Sequence, residues 1–217
     1  MLKSMKSKRL LSLLTTLIMT LAIIMPAASA RALAAETQNT VDLQILATSD
    51  LHGRFMPYTY ATDTENTNGS LAQIATVVKE ARAANPNTVL VDNGDTIQDN
   101  FSNLFLKDDV HPMILAMNEI GYDTWTLGNH EFNYGVPVLE KIMGQSKAKV
   151  LGGNVYKPTG ERLAAPYTIV EKGGIKVGII GMTNPNITKW DAANLEGYKV
   201  TSPVEEAKKA AEELKGK

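Results

Sequence analysis

Three short apolar segments, each running directly into a polar cluster, set the tightest limit on what this chain can fold into. "VDLQILATSD" (Val41 to Asp50) leads into "LHGR", "TVLVD" (Thr88 to Asp92) into "NGDTIQD", and "YDTWTL" into "GNHEFNYG". The middle segment is a continuous apolar run, the pattern of a strand covered on both faces in a parallel sheet. Stretches of helical period separate the strands. Leu71, Ile74, Ala75 and Val78 recur at helical spacing between Gly69 and Ala84, and "NPN" stops the run. Pro112 sits in the first turn of a second helix that Gly121 closes, and a third runs from about Val136 to Met143. Alternating strands and helices predict an α/β fold with a substantially parallel sheet. Ligands of such sheets bind beyond the carboxyl ends of the strands, which is where the polar clusters fall.

The remaining segments fit the same class. "YTYATDTENTNG" reads as a turn-rich loop, and a short helix is expected to carry Phe101, Leu104 and Phe105, the two phenylalanines as core residues. "KVLGGNV" reads as a strand, and "YTIVEKGGIKVGIIGM" as a hairpin turning at "KGG". Ser202 caps a last helix, with Glu205 three places on. A helix of that kind ordinarily returns the chain to another parallel strand. The fold is therefore expected to be incomplete at its C-terminus.

Residues 1–34 read as a signal peptide. Lys3, Lys6, Lys8 and Arg9 precede an uncharged apolar run from Leu10 to Met25, and small-residue cleavage sites follow at Ala30 and Ala34. The run is shorter than the roughly 20 residues of a spanning helix, so no stable membrane span is expected after its removal. Residues 35–217 would then form one exported domain, bound for the periplasm, cell wall or medium. With no cysteine the exported chain cannot rely on disulfides, and any metal must be held by carboxylate, imidazole and amide groups. A formal net charge of -1 gives no reason to expect a nucleic-acid polymer or a basic membrane face as partner.

Each cluster taken alone has an ordinary structural explanation. A lone D-x-H pair is common, "NGD" is a familiar turn, and Asp92 is expected to hydrogen-bond that turn. Glu131 is expected to brace its loop, and His111, beside Pro112, to lie at the surface or cap a helix. If the three strands are parallel neighbours, however, all three clusters share one edge. Asp50 and His52, one residue apart in extended chain, then join Asp95 and Asn129 in a mixed oxygen and nitrogen environment suited to divalent cations.

In order, D-x-H-G, G-D and G-N-H-E-F-N resemble the motifs of calcineurin-like metallophosphoesterases in the 5'-nucleotidase branch. "GNHEFNYG" and "WDAANLEG" (Trp190 to Gly197) are similar to the 2',3'-cyclic-nucleotide 2'-phosphodiesterase/3'-nucleotidase group within it. The resemblance runs from about Leu43 to the end. It implies the N-terminal part of a four-layer αββα sandwich and a two-metal site, with Asp50 and His52 on one cation, Asp95 bridging and Asn129 on the second. Manganese, zinc, cobalt or iron would suit these donors. Two such cations activate water and clamp phosphoryl oxygens for in-line attack. His130 would act on the phosphoryl group as the catalytic imidazole, with Glu131 and Asn133 in support.

The chain departs from the family pattern at two places. Where related 5'-nucleotidases carry an aspartate three residues after this histidine, Asn133 stands here, as in the cyclic-nucleotide group. The family also supplies further histidine ligands and a base-binding domain from later in the chain, so a C-terminal segment is expected to complete the site. The resemblance implies hydrolysis of 2',3'-cyclic nucleotides and 3'-nucleotides. Its alternatives are a 5'-nucleotidase or UDP-sugar hydrolase, and a truncated, non-catalytic fragment that binds metal weakly.

Overall fold

The computed structural model describes residues 40–217; the signal-peptide reading of residues 1–34 lies outside them. Strand β1 (Gln44–Thr48) is followed by a small hairpin of β2 (Tyr58–Thr59) and β3 (Thr64–Glu65), then helix α1 (Leu71–Ala84). Strand β4 (Thr88–Asp92) leads to α2 (Pro112–Ile120), β5 (Thr124–Thr126) to α3 (Val136–Met143), and β6 (Lys149–Leu151) completes a four-stranded sheet. Its order is β1-β4-β5-β6 and every neighbouring pair is parallel. β7 (Val155–Tyr156), the β8–β9 hairpin (Tyr167–Lys172 and Ile175–Ile180), a short α4 (Ile187–Trp190), β10 (Lys199–Val200) and α5 (Pro203–Leu214) follow. The "KVLGGNV" segment is thus two strands, because β7 leaves the parallel sheet to pair antiparallel with β10.

Local sequence explains most of these elements. Ser70 caps α1 by accepting from the Gln73 N–H, and Gly121 ends α2 in the left-handed conformation that glycine adopts freely. Leu71, Val78, Met113, Ile114, Met117, Leu139 and Ile142 project from the three helices into one core with Leu90 and Trp125 of the sheet. Burying a side chain of this size contributes about 1.5–3 kcal/mol, so this core fixes the sheet and with it the strand ends. On the other face Leu151 packs against Gly181 at the end of the hairpin, and α5 lies on β9 through Leu214 and Gly178. Helices, parallel sheet, hairpin and final helix therefore stack in turn as an α/β arrangement of four layers.

The segment around Phe101 differs from the sequence expectation. Asp99, Asn100 and Phe101 are all left-handed, with φ of 80°, 46° and 65°, and a single 3-10 turn over Ser102–Phe105 takes the place of a helix. Ser102 is pulled inward, its hydroxyl donating to the Ile97 carbonyl. The reversal turns Phe101 (47% exposed) and Phe105 (40%) outward, where they line a cavity of about 650 Å³ with Tyr58 and Tyr60 instead of joining the core.

Candidate metal centre

Parallel register places the ends of β1 and β4 beside the middle of β5, Thr48 against Asp92 and Asp92 against Trp125. The loops beyond them are stitched together by backbone hydrogen bonds. The N–H groups of Asp50, His52 and Gly53 donate to the carbonyls of Gly94, Asp95 and Thr96 at 3.0, 2.8 and 2.8 Å. One ligand atom each from Asp50, His52 and Asp95 lies within 4.8 Å of the others, the geometry of a cation site. His52 Nε2 is 3.9 Å from Asp50 Oδ1. His52 Nδ1 is 2.9 Å from Gln98 Oε1, which ties that nitrogen and leaves Nε2 toward the two carboxylates.

Strand alternation is not what brings Asp50 and His52 together. Asp50, His52 and Asp95 have φ of 56°, 46° and 57°, so all three sit in left-handed backbone rather than extended chain. Non-glycine residues seldom adopt this region, at a cost of order 1 kcal/mol each, and such strain collects at binding and catalytic sites. The paired loop backbones hold it in place. Asp50 remains open to solvent, with 64% of its side chain exposed.

The third loop is docked onto the second by Glu131. This fully buried carboxylate accepts from the N–H groups of Asp95 (2.8 Å), Thr96 (2.7 Å) and Gly128 (2.7 Å). Burial pushes its carboxyl up to about 7, against the opposing pull of the Thr96 and Asp95 N–H groups. Gly128 is required by proximity rather than by a turn: a Cβ there would strike the Asp95 side chain and backbone. Gly94 combines a φ of +93° with equally close approach to Gly128.

His130 donates its backbone N–H to Asp95 Oδ1 at 2.8 Å, and its ring lies edge-on to that of His52 with centroids 5.1 Å apart. Its Nδ1 is 2.7 Å from Asn133 Oδ1. Asn129 lies half-buried between Gly128 and His130, whose N–H groups are fixed by Glu131 and Asp95. Asp92 stays out of the donor group. It is fully buried and accepts from the hydroxyls of Thr48 and Thr96 at 2.6 Å each and the Gly94 N–H at 2.9 Å; burial raises its carboxyl.

His111 is not at the surface: it stands at the N-cap of α2 without a side-chain capping bond, is 1% exposed, and neither ring nitrogen makes a hydrogen bond of ordinary geometry among the described residues. Burial pushes its imidazole down to about 4.

Sequence reasoning missed three polar supports, Gln98, Asp191 and Asn194. Gln98 lies three residues after Asp95, and a search for a partner to the second nitrogen of His52 would have found it. Asp191 accepts from Asn133 Nδ2 at 3.0 Å, and Asn194 Nδ2 donates to the carbonyls of Phe132 and Asn133 at 3.0 Å each. Both belong to "WDAANLEG", which therefore clamps the turn carrying His130.

Hard donors gathered from loops after adjacent parallel strands, with an imidazole alongside, define the class as a metal-site domain on an α/β sheet. Residues 43–216 match the model of the calcineurin-like phosphoesterase family, and the chain belongs to that family. It is 40% identical over 195 residues to the trifunctional nucleotide phosphoesterase protein YfkN of Bacillus subtilis, covering 81% of this chain and 13% of that protein. It is 37% identical to the 2',3'-cyclic-nucleotide 2'-phosphodiesterase/3'-nucleotidase of Salmonella typhimurium, covering 82% of this chain and 30% of that one. The crystal structure of YfkN superposes with a TM-score of 0.72 at 39% identity, over 80% of this chain and 58% of that chain. The chain thus spans less than a third of the length of these two curated relatives. Family members bind divalent cations, and the Asp50, His52 and Asp95 donors fit one.

Proposed function

We propose that this chain is the metal-binding portion of an exported phosphoesterase that hydrolyses nucleotides, with 2',3'-cyclic nucleotides and 3'-nucleotides as substrates. The observation that carries the reading is the convergence of Asp50, His52 and Asp95 within 4.8 Å, beside the ring of His130. When bound, divalent cations would supply Lewis-acid activation of water and of the phosphoryl oxygens. Asp50, His52 and Asp95 would hold them, with Asn129 contributing to a second. Gln98 keeps His52 Nε2 free for that work. His130, held at Nδ1 by Asn133, has Nε2 left to move a proton at the leaving oxygen and to stabilise charge on the phosphoryl group. The nucleotide class is supported by the names of the similar proteins, and the cyclic subgroup by Asn133 as the imidazole's partner. Export is supported by the sequence pattern of residues 1–34.

The test is hydrolysis of 2',3'-cyclic, 3'- and 5'-nucleotides with added manganese, by wild type and by Asp95→Asn. Expected is turnover of the first two substrates, reduced at least 100-fold in the variant, in line with removal of a direct cation ligand. A strong preference for 5'-nucleotides would overturn the substrate assignment. A second reading, metal binding without turnover, is favoured by there being one three-residue donor group among the described residues. Calorimetry that detects manganese binding while every nucleotide stays intact would establish it instead.

A further inference from the structure

His130 is tied through Asn133 to a carboxylate 58 residues beyond that asparagine. We propose that Asp191 is a positioning residue that determines which ring nitrogen of His130 carries the proton. The inference rests on the reading of His130 as the imidazole that acts on the phosphoryl group.

The argument is one of donors and acceptors. An asparagine amide has a donor end and an acceptor end, and its two orientations have nearly the same shape. A carboxylate only accepts. With Asp191 Oδ1 3.0 Å from it, Asn133 must present its NH2 there, which turns Oδ1 toward His130. That oxygen also only accepts, so His130 Nδ1, 2.7 Å away, must be the N–H. In the neutral ring Nε2 is then bare and able to take a proton. Turned the other way, the amide would donate to Nδ1 and drive the proton to Nε2, closing that nitrogen as an acceptor.

The loop can hold its place without the Asp191 side chain. The Asp191 backbone N–H bonds the Ile187 carbonyl at 2.8 Å, its carbonyl accepts from the Asn194 N–H at 2.9 Å, and Asn194 clamps Phe132 and Asn133. Directionality is what the carboxylate adds. An aspartate directly on the imidazole would do the same job in one step; here the amide passes the constraint along.

Three proteins test this: wild type, Asp191→Asn, and the exchange Asn133→Asp with Asp191→Asn. Asp191→Asn keeps size and hydrogen-bonding capacity but lets both amides turn round together. The exchange puts an acceptor-only group on His130 again. Imidazole nitrogen NMR of the metal-free chain at alkaline pH is expected to show Nδ1–H in wild type, a mixture in the single variant, and Nδ1–H restored in the exchange. With manganese, kcat on a 2',3'-cyclic nucleotide should fall about 10-fold in the single variant, with KM changed less than about twofold, and recover in the exchange. An unchanged tautomer in Asp191→Asn would overturn the proposal, as would a mixture that the exchange fails to resolve. Absent turnover in all three proteins, with the tautomer pattern as expected, would sustain the role of Asp191 and overturn the phosphoesterase reading.

Discussion

Glu131 and His111 are both buried ionisable side chains, and they are treated oppositely. Glu131 accepts three backbone N–H groups and joins two loops of the metal centre. The ring of His111, at the start of α2, is equally inaccessible, and neither of its nitrogens makes a hydrogen bond of ordinary geometry among the described residues. A buried polar group left without partners costs about 1–3 kcal/mol, whereas one that satisfies several others becomes a support they depend on. The difference separates a carboxylate that organises the candidate site from an imidazole that the fold tolerates.

The largest effect should follow from removing the support. Glu131→Ala strands the N–H groups of Asp95, Thr96 and Gly128 and frees two loops that carry candidate ligands. Expected is a stability loss of about 3 kcal/mol or more in urea unfolding, together with weaker manganese binding by calorimetry. A loss below about 1 kcal/mol would show that water or neighbouring groups replace the carboxylate, and the contrast with His111 would fail.

Much of this architecture could be read in the sequence, for physical reasons. β4 at Thr88–Asp92 and α3 at Val136–Met143 fall where the apolar run and helical pattern place them, because burial period and flanking Pro and Gly are local signals. The three polar clusters share an edge because their strands are parallel neighbours. Left-handed backbone at Asp50 and His52 was not legible, since it is imposed by hydrogen bonds to a loop more than forty residues later. Phe101 and Phe105 looked like core from composition, but backbone direction turned them outward. Asp191 gave no local sign of its role, which depends on contact with a turn far away in the chain. His111 misled because the residue before a helical proline is commonly exposed, and tertiary packing overrode that tendency.

The next effect in size concerns acid. Burial lowers the folded imidazole of His111 from its ordinary 6.5 to about 4, while the Ser102 backbone and Asp108 oppose the shift. Between these values the unfolded chain binds the proton and the folded chain does not. The stability from keeping His111 neutral is therefore complete above pH 6.5 and is lost as pH falls toward 4, by about 3 kcal/mol in total. Comparing unfolding of wild type and His111→Leu at pH 7 and pH 4 isolates this contribution from that of the carboxylates. The difference between the two proteins should move by about 3 kcal/mol in favour of the variant at the lower pH. A pH-independent difference would mean that His111 is not desolvated, and would dissolve its contrast with Glu131.

The smallest effect gives the sharpest comparison, because one substitution is made at two buried threonines. Thr96 donates its hydroxyl to the buried carboxylate of Asp92 at 2.6 Å, whereas the buried Thr124 hydroxyl has no partner among the described residues. Valine keeps the branched shape and removes only the polar atom. At position 96 it deletes a hydrogen bond to a charged acceptor and should cost about 1.5–3 kcal/mol; at position 124 it removes an unpaired group and should stabilise by up to about 1 kcal/mol. Opposite signs in urea unfolding are expected. If both variants lose stability alike, the Thr124 hydroxyl has a partner and its contrast with Thr96 fails.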